Sequence, residues 1–104
     1  MAVAVIWSIT ALRELSAIRQ YLSEHASPEA ATRVTQEIVR ATRRLRDFPD
    51  SGRTVPEYQR TDLRELIVLS YRVIYRRTDD AAEVAHIAHV RRNLRKKGFR
   101  DLRQ

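Results

Sequence analysis

Cysteine is absent from this 104-residue chain. Disulfides, thiolate metal sites and a cysteine nucleophile are therefore excluded. Glycine occurs only as Gly52 and Gly98, and there are three prolines. No internal repeat or low-complexity linker divides the chain. No apolar run approaches membrane-spanning length, and the opening MAVAVIWS lacks the basic start and the length of a signal-peptide core. A cytoplasmic protein with no membrane partner is the expectation. Lysine is scarce as well, present only as Lys96 and Lys97.

What is plentiful is arginine. Lys plus Arg number 20 against 13 Asp plus Glu, a formal charge of +7. That excess favours an anionic partner such as nucleic acid or an acidic protein. Arginine also suits bidentate contacts to phosphate or carboxylate. The apolar share of 43% is enough for a folded core. The length suits one domain, 1–104, with a basic tail over 92–104.

Val3 to Trp7 are β-branched or aromatic and read as a strand. Ser8 caps a helix whose stripe is Ala11, Leu15, Ile18 and Leu22, widened by Leu12, ending near Glu24. In SPEAA, Ser27 is an N-cap, Pro28 fits the first helical position and Glu29 complements the helix dipole. A second stripe follows: Ala31, Val34, Ile38, Ala41, Leu45, Phe48. The short break between the helices predicts an antiparallel hairpin. FPDSGRTVPEYQRTD reads as a loop. LRELIV, YRVIYRR and EVAHIAHV read as three strands of an antiparallel meander. The expected fold is α+β: an N-terminal strand, a two-helix hairpin and a three-stranded meander, with the helices on one face of a small sheet. The other face is expected to be bare, concave and edged with arginine. Gly98 interrupts any helix in the tail, where Leu94, Phe99 and Leu102 are available to dock part of it.

These pieces together resemble the RelE/ParE toxin superfamily of bacterial type II toxin–antitoxin systems. The resemblance rests on SPEAA, FPDSGRTVPE, LREL, YRVIYRR and IAHVRR, in that order across nearly the whole chain. It implies a toxin domain and a cognate antitoxin, typically with a DNA-binding N-terminal domain and a flexible C-terminal segment that wraps the toxin. An acidic segment would suit a chain this basic. The resemblance implies two target classes. RelE-like members cleave mRNA on the ribosome, and ParE-like members inhibit DNA gyrase without known nuclease activity.

Metal-free RNA cleavage needs a general base, cationic clamps and a general acid. His89 titrates in the right range, Arg91 and Arg92 could hold phosphate, Arg64 and Arg72 add charge, and Glu57 or Glu65 could be a base. If the protein is a nuclease, His89, Arg91 and Arg64 are the candidate catalytic set. His86 and His89 have odd spacing and point to opposite faces of a strand, with His89 assigned to the bare face. No third ligand accompanies them, so a zinc site is excluded and no cofactor is expected. Arg72 has a competing reading, a structural arginine paired with a carboxylate such as Glu65. Tyr71 and Tyr75 share a face and read as core.

RNA-cleaving members commonly carry a tyrosine beyond the last strand. Here the only aromatic is Phe99, which cannot exchange a proton, and the loop GRTVPEYQRTD has Arg53 and Arg60 but no lysine. This favours a ParE-like, non-nucleolytic toxin. Its target- or antitoxin-binding surface would comprise Arg72, Arg92, Arg95, Lys96, Lys97, Phe99 and Arg100. A non-toxic nucleic-acid-binding module is the remaining alternative, and a helix-turn-helix fits poorly because three strands follow the second helix.

Overall fold

The computed structural model describes residues 2–103. The first strand, β1 (Ala4–Trp7), runs into α1 (Ile9–His25) and α2 (Pro28–Arg43), which a 3₁₀ turn (Arg44–Arg46) extends. Four strands follow: β2 (Arg53–Thr54), β3 (Leu63–Val68), β4 (Tyr71–Arg77) and β5 (Ala81–His89). They form one five-stranded sheet in the order β1-β5-β4-β3-β2. β1 pairs parallel with β5, and every other pair is antiparallel. Among the described residues no helix is long and apolar enough to cross a membrane.

The helices begin where their caps stand. Ser8 Oγ accepts from the Ala11 N–H at 3.0 Å and donates to the Ala85 carbonyl, also at 3.0 Å. One hydroxyl therefore starts α1 and fastens it to β5. Ser27 Oγ accepts from the Ala30 N–H, with Pro28 at the first helical position. In α2, Ala31, Val34 and Ile38 are buried, as is Leu45 in the 3₁₀ turn. At about 1.5–3 kcal/mol for each large side chain, this stripe contributes much of the hairpin's hold on the sheet. Phe48 lies past the 3₁₀ turn, has lost the helical phase and is exposed. Leu12 does not widen the α1 stripe; it is half exposed.

The helices cover one face of the sheet, where Leu66, Val68, Val73, Tyr75, Val84 and Ile87 form the main core. Ala85 is an extra residue in β5, since Ile74 pairs with His86 while Tyr75 pairs with Val84. Such a bulge bends the strand and re-aims its neighbours.

The opposite face is not bare. Residues 90–103 fold back across it as a strap, and Leu94, Phe99 and Leu102 are buried against Val55, Leu63, Ile74, Ala85 and Ala88. The reason is in the strands. β4 and β5 are buried almost continuously rather than at alternate positions, so both faces are apolar and both need cover. The expected arginine-edged concave face is thus filled by the chain's own tail.

The sequence predicts loop where β2 forms. Its two residues pair with β3 through Arg53–Glu65 and Thr54–Arg64. Gly52 allows this approach: a Cβ there would lie 2.6 Å from the Tyr75 hydroxyl and 2.7 Å from the Glu65 carbonyl oxygen. The Gly52 N–H donates to that hydroxyl at 2.9 Å, and the hydroxyl donates to the Pro49 carbonyl at 2.8 Å.

Candidate functional site

Arg72 lies inside, not on a binding surface. Its Nε donates to Glu65 Oε1, and Nη1 and Nη2 donate to the two oxygens of Glu57, all at 2.7 Å. Nη1 also donates to the Arg92 carbonyl at 3.0 Å. Arg53 Nε donates to the other oxygen of Glu65 at 2.7 Å. Glu57 Oε2 further accepts the Leu94 N–H at 3.1 Å. One buried guanidinium therefore joins β3, β4, the loop after β2 and the root of the strap. Pairing with Glu65 was expected; Glu57 as the bidentate partner was not. The Arg72 guanidinium outweighs burial and holds the Glu57 carboxyl at about 2. A carboxylate so acidic is a poor proton acceptor near neutral pH, which removes Glu57 as a general base.

The histidines do face opposite ways, but with the roles exchanged. His86 lies on the strap side and is buried. Its Nδ1 is 3.1 Å from both oxygens of Glu14 in α1, and its Nε2 is 2.8 and 2.9 Å from those of Asp101. Carboxylates at both nitrogens favour the imidazolium, the form that donates to each. Burial opposes that charge, but the Glu14 and Asp101 hydrogen bonds outweigh it and raise the pKa above the ordinary value. Glu14 also accepts the Ile87 N–H at 3.0 Å, satisfying the edge of β5 beyond the end of β1.

His89 is exposed on the helix side, edge-on to Tyr71 with ring centroids 5.8 Å apart. Its Nδ1 accepts the Arg91 N–H at 3.2 Å. Arg64 is far away. It pairs with Tyr75 and His89 pairs with Tyr71, four residues along β4, or roughly 13 Å at strand rise. Arg64 is also committed, donating to the carbonyls of Thr61 at 3.0 Å and Gly52 at 2.9 Å. His89, Arg91 and Arg64 are thus not brought together as one constellation.

Phe99, expected at the surface, is a core residue of the strap. His86 meets it edge-on at 4.9 Å, and the Arg92 guanidinium covers it at 4.9 Å. The strap's cations are outside: Arg91, Arg92, Arg95, Lys96, Lys97, Arg100 and Arg103 are all exposed. Arg95 donates to the Glu57 carbonyl, and Arg103 donates to that of Arg95. Among the described residues, no group of three or more His, Cys, Asp or Glu side chains is placed to hold a metal ion.

The helices carry a second surface feature that no sequence motif marks. A groove of about 550 Å³ runs between the helices on their outer side. Leu12, Leu15 and Val39 contribute apolar lining, and Arg19, Arg40 and Arg43 contribute charge. The signal was the apolar residues off the core stripe, Leu12 and Val39, but their meeting depends on how the two helices pack.

Comparison with known proteins agrees with this architecture. The family model for the ParE toxin of the type II toxin–antitoxin system parDE matches residues 5–94. The chain belongs to that family, within the RelE/ParE superfamily of toxins. A curated relative, Toxin RelE2 of Caulobacter vibrioides, is 34% identical over 89 residues, covering 85% of this chain and 96% of the relative. A chain from the solved chromosomal ParDE toxin–antitoxin system of P. aeruginosa shares the fold. Its TM-score is 0.73 at 21% identity, covering 86% of this chain and 97% of that one.

Proposed function

We propose that this toxin arrests growth by binding DNA gyrase rather than by cutting RNA, and that a cognate antitoxin neutralises it. The observation that carries the non-nucleolytic half is the scatter of the proton-transfer candidates. His89 and Arg64 pair with positions four residues apart along β4, Glu57 is locked as a carboxylate, and Tyr58, an aromatic near the strap, spends its hydroxyl on the Leu94 carbonyl. Cleavage needs an acid, a base and a phosphate clamp around one reacting centre. Binding needs only a surface.

The groove between α1 and α2 supports the antitoxin half. Apolar lining beside three arginines suits an amphipathic segment with acidic flanks, which buries its apolar face and meets the charges.

The relative described as a RelE toxin favours a second reading, a ribosome-dependent mRNA endonuclease. Induction of the chain alone in bacteria separates the two. Filamentation, a DNA-damage response and blocked supercoiling are expected, and His89→Ala should leave growth arrest intact. Early loss of translation with mRNA cut at codons, relieved by His89→Ala, would instead establish the endonuclease. Normal growth at good soluble expression would count against both and leave a harmless binding module.

A further inference from the structure

We propose that the strap, residues 90–103, is a docking surface for the sugar-phosphate backbone of duplex nucleic acid. The first observation is how the carboxylates are distributed. In the sheet and its loops, Arg53, Arg60, Arg64, Arg72 and Arg77 each pair with a carboxylate. Among the described residues, none of the strap's exposed cations does. The strap's one acid, Asp101, is held by His86. Carboxylates thus neutralise five arginines of the sheet and its loops, while the strap concentrates seven exposed cations within thirteen residues with no such counter-charge among the described residues.

The second observation is that the array is fixed in place. Leu94, Phe99 and Leu102 anchor the strap in the core. Its backbone carbonyls are gripped as well: Arg92 by Arg72, Leu94 by Tyr58 and Leu102 by Arg60. Gly98, at φ 103°, makes the turn that sends Phe99 inward while its neighbours Lys97 and Arg100 stay exposed. An ordered backbone loses less freedom when its side chains engage a ligand.

The third observation decides the kind of partner. Beyond Val90 at its root, every large apolar side chain of the strap is buried. A protein partner draws its affinity from aromatic and aliphatic anchors at the interface centre, where charge is depleted. The strap offers none, whereas the helical groove does. A phosphate backbone needs no apolar anchor, because cations that displace condensed counterions supply the binding. The two surfaces therefore suit two different partners: the groove a protein segment, the strap a polyanion read without sequence.

The test titrates the full chain into a fluorescein-labelled duplex of about 20 base pairs, by anisotropy, between 50 and 200 mM salt. Binding should weaken steeply with salt, with a log–log slope of up to about −6 if all the strap's cations meet phosphates. Lys96→Gln, Lys97→Gln and Arg100→Gln together should make that slope shallower by about 3 and weaken binding at least tenfold at 100 mM. Their side chains make no hydrogen bond among the described residues, so the far-ultraviolet spectrum should not change. Arg33→Gln, Arg44→Gln and Arg46→Gln on the helical layer, all exposed, remove the same charge and should leave the slope within about one of the parent. The proposal is overturned by absence of binding at 50 mM salt or by equal effects of the two triple variants. Displacement of the duplex by polyglutamate of equal charge would overturn it in favour of an acidic protein. Growth arrest is a separate readout, so failure here leaves the toxin mechanism untouched.

Discussion

Glu57→Gln is the sharpest probe of how the strap is fastened. The substitution keeps the side chain's size but removes its charge and turns one acceptor into a donor facing the Arg72 guanidinium. The carboxyl sits at about 2 against an ordinary 4.5. At 1.36 kcal/mol per pH unit this corresponds to about 3 kcal/mol of stability near neutral pH. Loss of one partner from a buried ion pair typically costs 3–5 kcal/mol, which agrees. The sign follows from the depressed value: the contribution is fully present above pH 4.5 and is lost as pH falls through about 2. The assay is urea unfolding followed by circular dichroism from pH 7 down to pH 2.5. At pH 7 the variant should be less stable by about 3 kcal/mol, or some 12–24 °C in Tm for a domain of this size. The gap should narrow steadily below pH 4.5. A loss under about 1 kcal/mol at pH 7, or a gap that stays constant to pH 2.5, would show that Arg72 does not hold Glu57 as described.

Three further outcomes are expected. His86 has a raised folded-state pKa, so its contribution is complete below about 6.5 and is lost as pH rises through the folded value. Urea midpoints from pH 6 to 9 should fall for the parent and stay level for His86→Gln, and parallel curves would refute the clasp. Gly52→Ala places a methyl group against the Tyr75 hydroxyl and the Glu65 backbone and should lower stability by about 1–3 kcal/mol in a thermal melt; an unchanged Tm would contradict the close approach. Leu12→Asp should leave the fold and growth arrest intact, because Leu12 is half exposed. It should nevertheless weaken neutralisation by the co-expressed antitoxin, and full rescue would dismiss the groove as the docking place.

Some of this molecule was legible in its residues because the governing interactions are local. Ser8 and Ser27 announced both helices, and the spacing of Ala31, Val34 and Ile38 announced the buried face of α2. The β-branched runs announced the meander. What was hidden depends on residues distant in sequence. β2 exists because Gly52 fits against Tyr75, and no composition rule foretells that. Glu57 sits in a turn, and nothing in its spacing from Arg72 marks it as that residue's partner. Leu94, Phe99 and Leu102 follow no period and are outnumbered by the basic residues around them. The near-continuous apolar character of β4 and β5 was the overlooked sign that the second face needed a cover. The exchange of roles between His86 and His89 has the same root, since it is the folded-back strap that brings Asp101 to His86.

The pairing of β1 with β5 joins residues near the two ends of the chain: the hydrogen bond from Ser8 to Ala85 spans 77 positions. Helices can form as they emerge during synthesis, but this contact must wait until β5 has been made. A chain interrupted before β5 therefore has its first strand unpartnered. The five-stranded sheet, and the strap and helix surfaces that rest on it, are assembled together only once that last strand exists.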